Sequence, residues 1–92
     1  MRILGHIDHH TLKITVFQMD NRLSVKFESG LYEQTYKFRS GMEINNLADV
    51  KAIVDGPFIQ AVLEEMNRMN RISNQALSRH LSEGEEEFEE II

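Results

Sequence analysis

From Leu12 to Arg39 apolar and polar residues alternate with a period of two, broken at Asp20-Asn21 and Ser29-Gly30. That period is the mark of half-buried strands, and both dipeptides hold residues that tolerate positive φ and suit two-residue hairpin turns. A first hairpin closed on Asp20-Asn21 sets Lys13 opposite Glu28, Ile14 opposite Phe27, Thr15 opposite Lys26 and Val16 opposite Val25. A second closed on Ser29-Gly30 sets Leu23 opposite Tyr36, Ser24 opposite Thr35, Lys26 opposite Glu33 and Phe27 opposite Tyr32. Like meets like at nearly every pair, as cross-strand energetics favour. A slip of one residue would mix the faces. A third hairpin on His9-His10, with poorer turn chemistry, sets Ile7 opposite Leu12, Gly5 opposite Ile14 and Ile3 opposite Val16.

The pattern predicts a four-stranded antiparallel meander with strands over 2–8, 12–19, 22–29 and 31–39. Ile3, Ile7, Leu12, Ile14, Val16, Leu23, Val25, Phe27, Tyr32, Tyr36 and Phe38 form its inner face. His6, Lys13, Thr15, Phe17, Ser24, Lys26, Glu28, Glu33, Thr35, Lys37 and Arg39 form the outer one. A sheet with one dry face needs a cover, which the second half must supply.

Two helices are predicted there. Asn46 can cap a short one carrying Leu47, Val50 and Val54 at helical spacing. Pro57 suits the start of a second, running to about Leu81, with Phe58, Val62, Met66, Met69, Ile72 and Ala76 as its apolar stripe. The fold class is therefore α+β, in the order ββββαα. Twenty-five helical residues reach roughly 37 Å, whereas eight-residue strands reach only about 26 Å. The second helix must outrun the sheet. Its stripe degrades where the overrun begins, since Ser73 and His80 fall within the apolar arc. Beyond Ile72 the helix is expected to bend, fray or pack on another chain.

Composition changes this picture at one end. The chain of 92 residues has a net charge of −5. Residues 1–82 carry ten basic and nine acidic residues, a net of +1, while residues 83–92 carry six Glu and no base, a net of −6. The expectation is one domain over 1–82 and a flexible acidic tail over 83–92, with Phe88, Ile91 and Ile92 among its glutamates. There is no cysteine, which removes disulfides and thiolate metal sites and suits a reducing cytoplasm. No apolar run is long enough for a secretory signal or a membrane span.

Candidate chemistry is sparse. The chain has no nucleophile elbow and no glycine-rich phosphate loop, so an enzyme is not expected, nor is a cofactor. His6, Asp8 and His10 are the one clustered set of potential metal ligands. Their spacing matches no known signature, and a polar strand end with solvated imidazoles accounts for them. Lys13, Phe17, Lys26, Lys37 and Arg39 on the outer face combine cations with one aromatic ring, which is the chemistry of single-stranded nucleic-acid binding. Glu28 and Glu33 oppose it by neutralising Lys13 and Lys26. Ile72, Ser73, Ala76, Leu77, His80 and Leu81 make a candidate interface on the overrunning helix. The functional expectation is a homodimeric interaction module, joined through that helix or a sheet edge, which binds another protein. Binding of single-stranded nucleic acid is the alternative.

Overall fold

The computed structural model describes residues 1–39, 41 and 44–91, with side chains through Ser82. Four antiparallel strands, β1 (Arg2–Ile7), β2 (Lys13–Met19), β3 (Arg22–Ser29) and β4 (Tyr32–Arg39), lie in sequential order in one sheet. Two helices follow, α1 (Leu47–Ile53) and α2 (Gly56–Ile91). The ββββαα architecture is the one the residue pattern predicts. The acidic segment 83–92, expected as a flexible tail, lies outside the residues whose side chains are described. No helix among the described residues is long and apolar enough to cross a membrane.

The β2–β3 hairpin has the predicted register, with Lys13 opposite Glu28, Ile14 opposite Phe27 and Val16 opposite Val25. Asp20 sits at φ 55° in its turn, a left-handed conformation that Asp adopts more readily than most residues.

The β3–β4 hairpin is displaced by two residues from its predicted register. Its turn is Gly30-Leu31, not Ser29-Gly30, so Ser29 faces Tyr32, Phe27 faces Gln34, Val25 faces Tyr36 and Leu23 faces Phe38. Gly30 at φ 59° occupies the first central position, where a type II′ turn requires positive φ. Turn geometry thereby overrides charge pairing. Lys26 faces Thr35 rather than Glu33, and Glu28 meets Glu33. Because the displacement is an even number, every side chain keeps its predicted face.

The β1–β2 connection also differs. A loop over 8–12 replaces the expected two-residue turn, and Ile7 faces Ile14 while Gly5 faces Val16. The His9 imidazole organises the loop, with Nδ1 accepting hydrogen bonds from the backbone N–H groups of Thr11 at 3.2 Å and Leu12 at 3.1 Å. A bulge between Ile3 and Gly5 then turns Leu4 toward the core and sends Ile3, predicted inside, to the outer face opposite Phe17. Gly5 leaves room for α1 there: a Cβ at this position would lie 2.8 Å from Leu47 Cδ2, so the end of that leucine side chain would have to shift.

The core lies between the inner sheet face and the helices, and includes Ile14, Val16, Leu23, Val25 and Phe27 with Val50 of α1 and Val62 and Met66 of α2. Phe27, Tyr36 and Phe58 form an aromatic trio, with Phe27 stacked on Phe58 at 5.4 Å between ring centroids. Gln34, the one polar residue on β4's inner side, donates from Nε2 to the Val62 carbonyl at 3.0 Å and ties β4 to α2. Asn46 caps α1 by accepting from the Asp49 N–H at 2.9 Å, and Asp55 caps α2 by accepting from the Phe58 N–H at 3.0 Å.

Candidate functional site

Two surfaces carry the predicted site residues. On the outer face of the sheet the register arranges side chains in rows. Lys13, Glu28 and Glu33 share one row, and Thr15, Lys26 and Thr35 the next. Ile3, Phe17, Ser24 and Lys37 follow, then Met19, Arg22 and Arg39. The five predicted binding residues therefore split into two groups. Lys13 and Lys26 sit at the acidic end, where the Lys26 ammonium lies 3.5 Å from Glu28. Phe17, Lys37 and Arg39 gather at the opposite end.

At that second end Phe17, Met19, Ser24, Arg22 and Lys37 line a depression of about 380 Å³, whose wall also includes the carboxylate residue Asp20 with Met1 and Thr35. Ser24 and Thr15 are buried although they point to the outer side, because short side chains between long ones leave no path to water. The apolar floor and cationic rim of this corner could hold a ligand with an anionic group and a flat or apolar body. Ile3, Met19 and Arg22 were not among the predicted binding residues. Arg22 is legible from the β2–β3 register, whereas Ile3 arrives only through the bulge. Phe17 is half-buried beside Ile3 and Ser24, so its ring is less open than a free stacking platform.

The second surface is the overhang of α2. The helix covers the sheet only as far as Met69, and every residue from Asn70 to Ser82 is exposed. Thirty-six helical residues reach roughly 54 Å, and the molecule measures 63 × 27 × 19 Å. Its radius of gyration is 18.7 Å, against about 12 Å for a compact chain of this length. α2 is a single unbroken helix that passes Ile72 and Leu81, so the expected break or fraying beyond Ile72 does not occur.

Ser73, Ala76 and His80 continue the line of Val62, Met66 and Met69 in steps of three and four residues, so they occupy the same side of the helix. Ile72, Leu77 and Leu81 flank them and are 56%, 56% and 59% exposed. The face that α2 turns to the sheet thus runs on past the sheet, with Ser73, Ala76 and His80 along its middle and Ile72, Leu77 and Leu81 on its two flanks. Leu31, at the tip of the β3–β4 turn, is 95% exposed at the end where α2 leaves the sheet. The alternation pattern predicts Leu31 as a strand residue and gives no sign of this. All six predicted interface residues are exposed and on this arc.

The histidines at the start of the chain do not assemble a site. His6 lies on the outer face opposite Thr15, His9 is committed to its loop, and His10 stacks on His9 at 4.5 Å. Among the described residues no group of three His, Asp or Glu side chains is placed to hold a metal ion. No protein-family model, no curated protein and no solved structure matches this chain, so its surfaces alone carry the functional reading.

Proposed function

We propose that this chain is a small, non-enzymatic protein-interaction module of the cytoplasm that works as a homodimer and engages a further protein. One observation carries the reading: the apolar arc of Ile72, Ala76, Leu77 and Leu81 extends the core-facing side of α2 beyond the sheet that covers it. Clusters of exposed apolar side chains mark association surfaces in soluble proteins. The arc of a second copy is the occupant, laid antiparallel so that the overhangs cover one another. Light scattering coupled to size exclusion tests this on the full chain. A mass of two chains or more, reduced by Leu77→Glu, is the supporting result. A wild-type chain that stays monomeric at every soluble concentration overturns it.

A second reading rests on a different observation, the aromatic and cationic corner of Phe17, Arg22, Lys37 and Arg39. Single-stranded nucleic acid would place a base on Phe17 and phosphates on the cations. Such binding weakens as salt rises, and it strengthens when residues 83–92 are removed. Absence of binding by the shortened chain at low salt excludes it.

A further inference from the structure

β4 is an edge of the sheet, and among the described residues no strand pairs with its far side. The other edge, β1, is broken by its bulge and met by α1 at Gly5. β4 instead runs eight residues in unbroken register, with no bulge and no proline. Because its hairpin closes through a two-residue turn, Ser29 and Tyr32 form a hydrogen-bonded pair. Tyr32, Gln34, Tyr36 and Phe38 therefore direct their backbone groups to β3. Glu33, Thr35, Lys37 and Arg39 direct theirs outward, where no strand among the described residues receives them.

The charges along this edge are unusual. At one end of the hairpin Glu28 faces Glu33, and at the other Arg22 faces Arg39. Like charges directly opposite one another destabilise a sheet. Glu28 has relief from Lys13 across β2 and from Lys26 at 3.5 Å. Glu33 and Arg39 are exposed, and among the described residues no strand pairs with β4 on their far side.

The geometry points to β4 as a self-pairing edge, whose occupant is β4 of a second copy related by a two-fold axis at Tyr36. In that register Glu33 faces Arg39 of the second copy and Arg39 faces its Glu33. Each row then reads Glu28, Glu33, Arg39, Arg22 across the junction, so one operation relieves both like-charge pairs. Thr35 faces Lys37 in the remaining outward pair. Every residue that would hydrogen-bond across the axis is one whose backbone groups already point outward. The neighbouring permitted register, centred on Thr35, pairs Glu33 with Lys37 and leaves Arg39 opposite the turn residue Leu31, so the Arg22–Arg39 conflict persists.

The inner side fits as well. Tyr36 is 37% exposed and, with Phe38, Phe58, Ala61 and Val62, lines an apolar groove of about 320 Å³ between β4 and α2. Pairing at Tyr36 joins the grooves of the two copies into one seam. It also merges two four-stranded sheets into one of eight strands. This contact shares no residue with the helix arc, and the two are independent. A chain with both has two separate two-fold contacts, which build an open array unless the axes meet.

The test uses the full chain carrying Leu77→Glu, which silences the arc, and measures mass against concentration by sedimentation. A dimer is expected. Adding Glu33→Lys sets Lys against Arg39 at two symmetric places while removing the Glu28–Glu33 conflict inside each copy. It should weaken association about tenfold or more, judged from cross-strand pair energies, without lowering the melting temperature. The combined Glu33→Arg and Arg39→Glu exchange restores opposite charges across the axis and should restore the dimer. A Leu77→Glu chain that is monomeric throughout, or a dimer indifferent to Glu33→Lys, overturns the proposal. If Leu77→Glu leaves the wild-type mass unchanged while Glu33→Lys alone yields monomer, β4 pairing stands and the arc reading falls.

Discussion

The Tyr32 hydroxyl donates to the Asn70 side-chain oxygen at 3.2 Å, and that bond marks where the sheet lets go of α2. On one side of it the helix packs against Gln34, Tyr36 and the core. On the other, no described residue from Asn70 to Ser82 is covered. Hydrogen exchange should show the same boundary. In dilute protein, amides of the buried turns around Val62 and Met66 exchange slowly and those beyond Asn70 exchange fast. As concentration rises, protection of the overhang should increase if the arc is an interface. Overhang amides that exchange slowly even in confirmed monomer would contradict the boundary.

The constraint on Gly5 comes from the Leu47 side chain of α1 rather than from its backbone angles. Gly5→Ala should destabilise the fold by at most about 1 kcal/mol, the low end of overpacking costs, because the contact is with the end of the Leu47 side chain. Shortening the obstacle with Leu47→Ala in the same chain should recover part of that loss. Equilibrium denaturation of both single variants and the double variant measures the coupling. Strict additivity would mean that the contact is not the cause.

Phe27 is fully buried and stacks on Phe58, with Tyr36 at its edge. Phe27→Ala removes the largest core side chain and should cost about 3–5 kcal/mol. That is a large part of the stability of any small domain. A denaturation midpoint unchanged from wild type would show that the core lies elsewhere.

His9 is predicted to act as a loop brace. His9→Ala leaves the Leu12 N–H, next to the buried Leu12 side chain, without its acceptor. The expected cost is about 1 kcal/mol. His9→Asn, whose side-chain oxygen can take over the acceptor role, should restore most of it. Thermal melts of the two variants distinguish a brace from a spacer.

Much of this fold was legible because period-two alternation fixes sidedness without fixing register. The β2–β3 pairing could be read outright, since the turn and the side-chain pairs agreed on it. In β3–β4 they disagreed, and matching Lys26 with Glu33 favoured a register that the Gly30 turn does not permit. The bulge at Leu4 left no trace in the alternation, so Ile3 was assigned to the wrong face. The overhang was readable from helix rise against strand rise. The exposed Leu31 and the corner around Phe17 were not, because both depend on where turns and bulges fall.

An even displacement preserves both faces, so the β3–β4 hairpin has two registers that the core does not distinguish by polarity. In one, Lys26 meets Glu33; in the other, which the chain adopts, acids face acids and bases face bases. The left-handed Gly30 is the detent between them. A residue with a Cβ there would weaken the detent and let the hairpin slide toward local charge neutrality. The edge charges of β4 would shift by two places, and the surface shown to other chains would change without the protein unfolding.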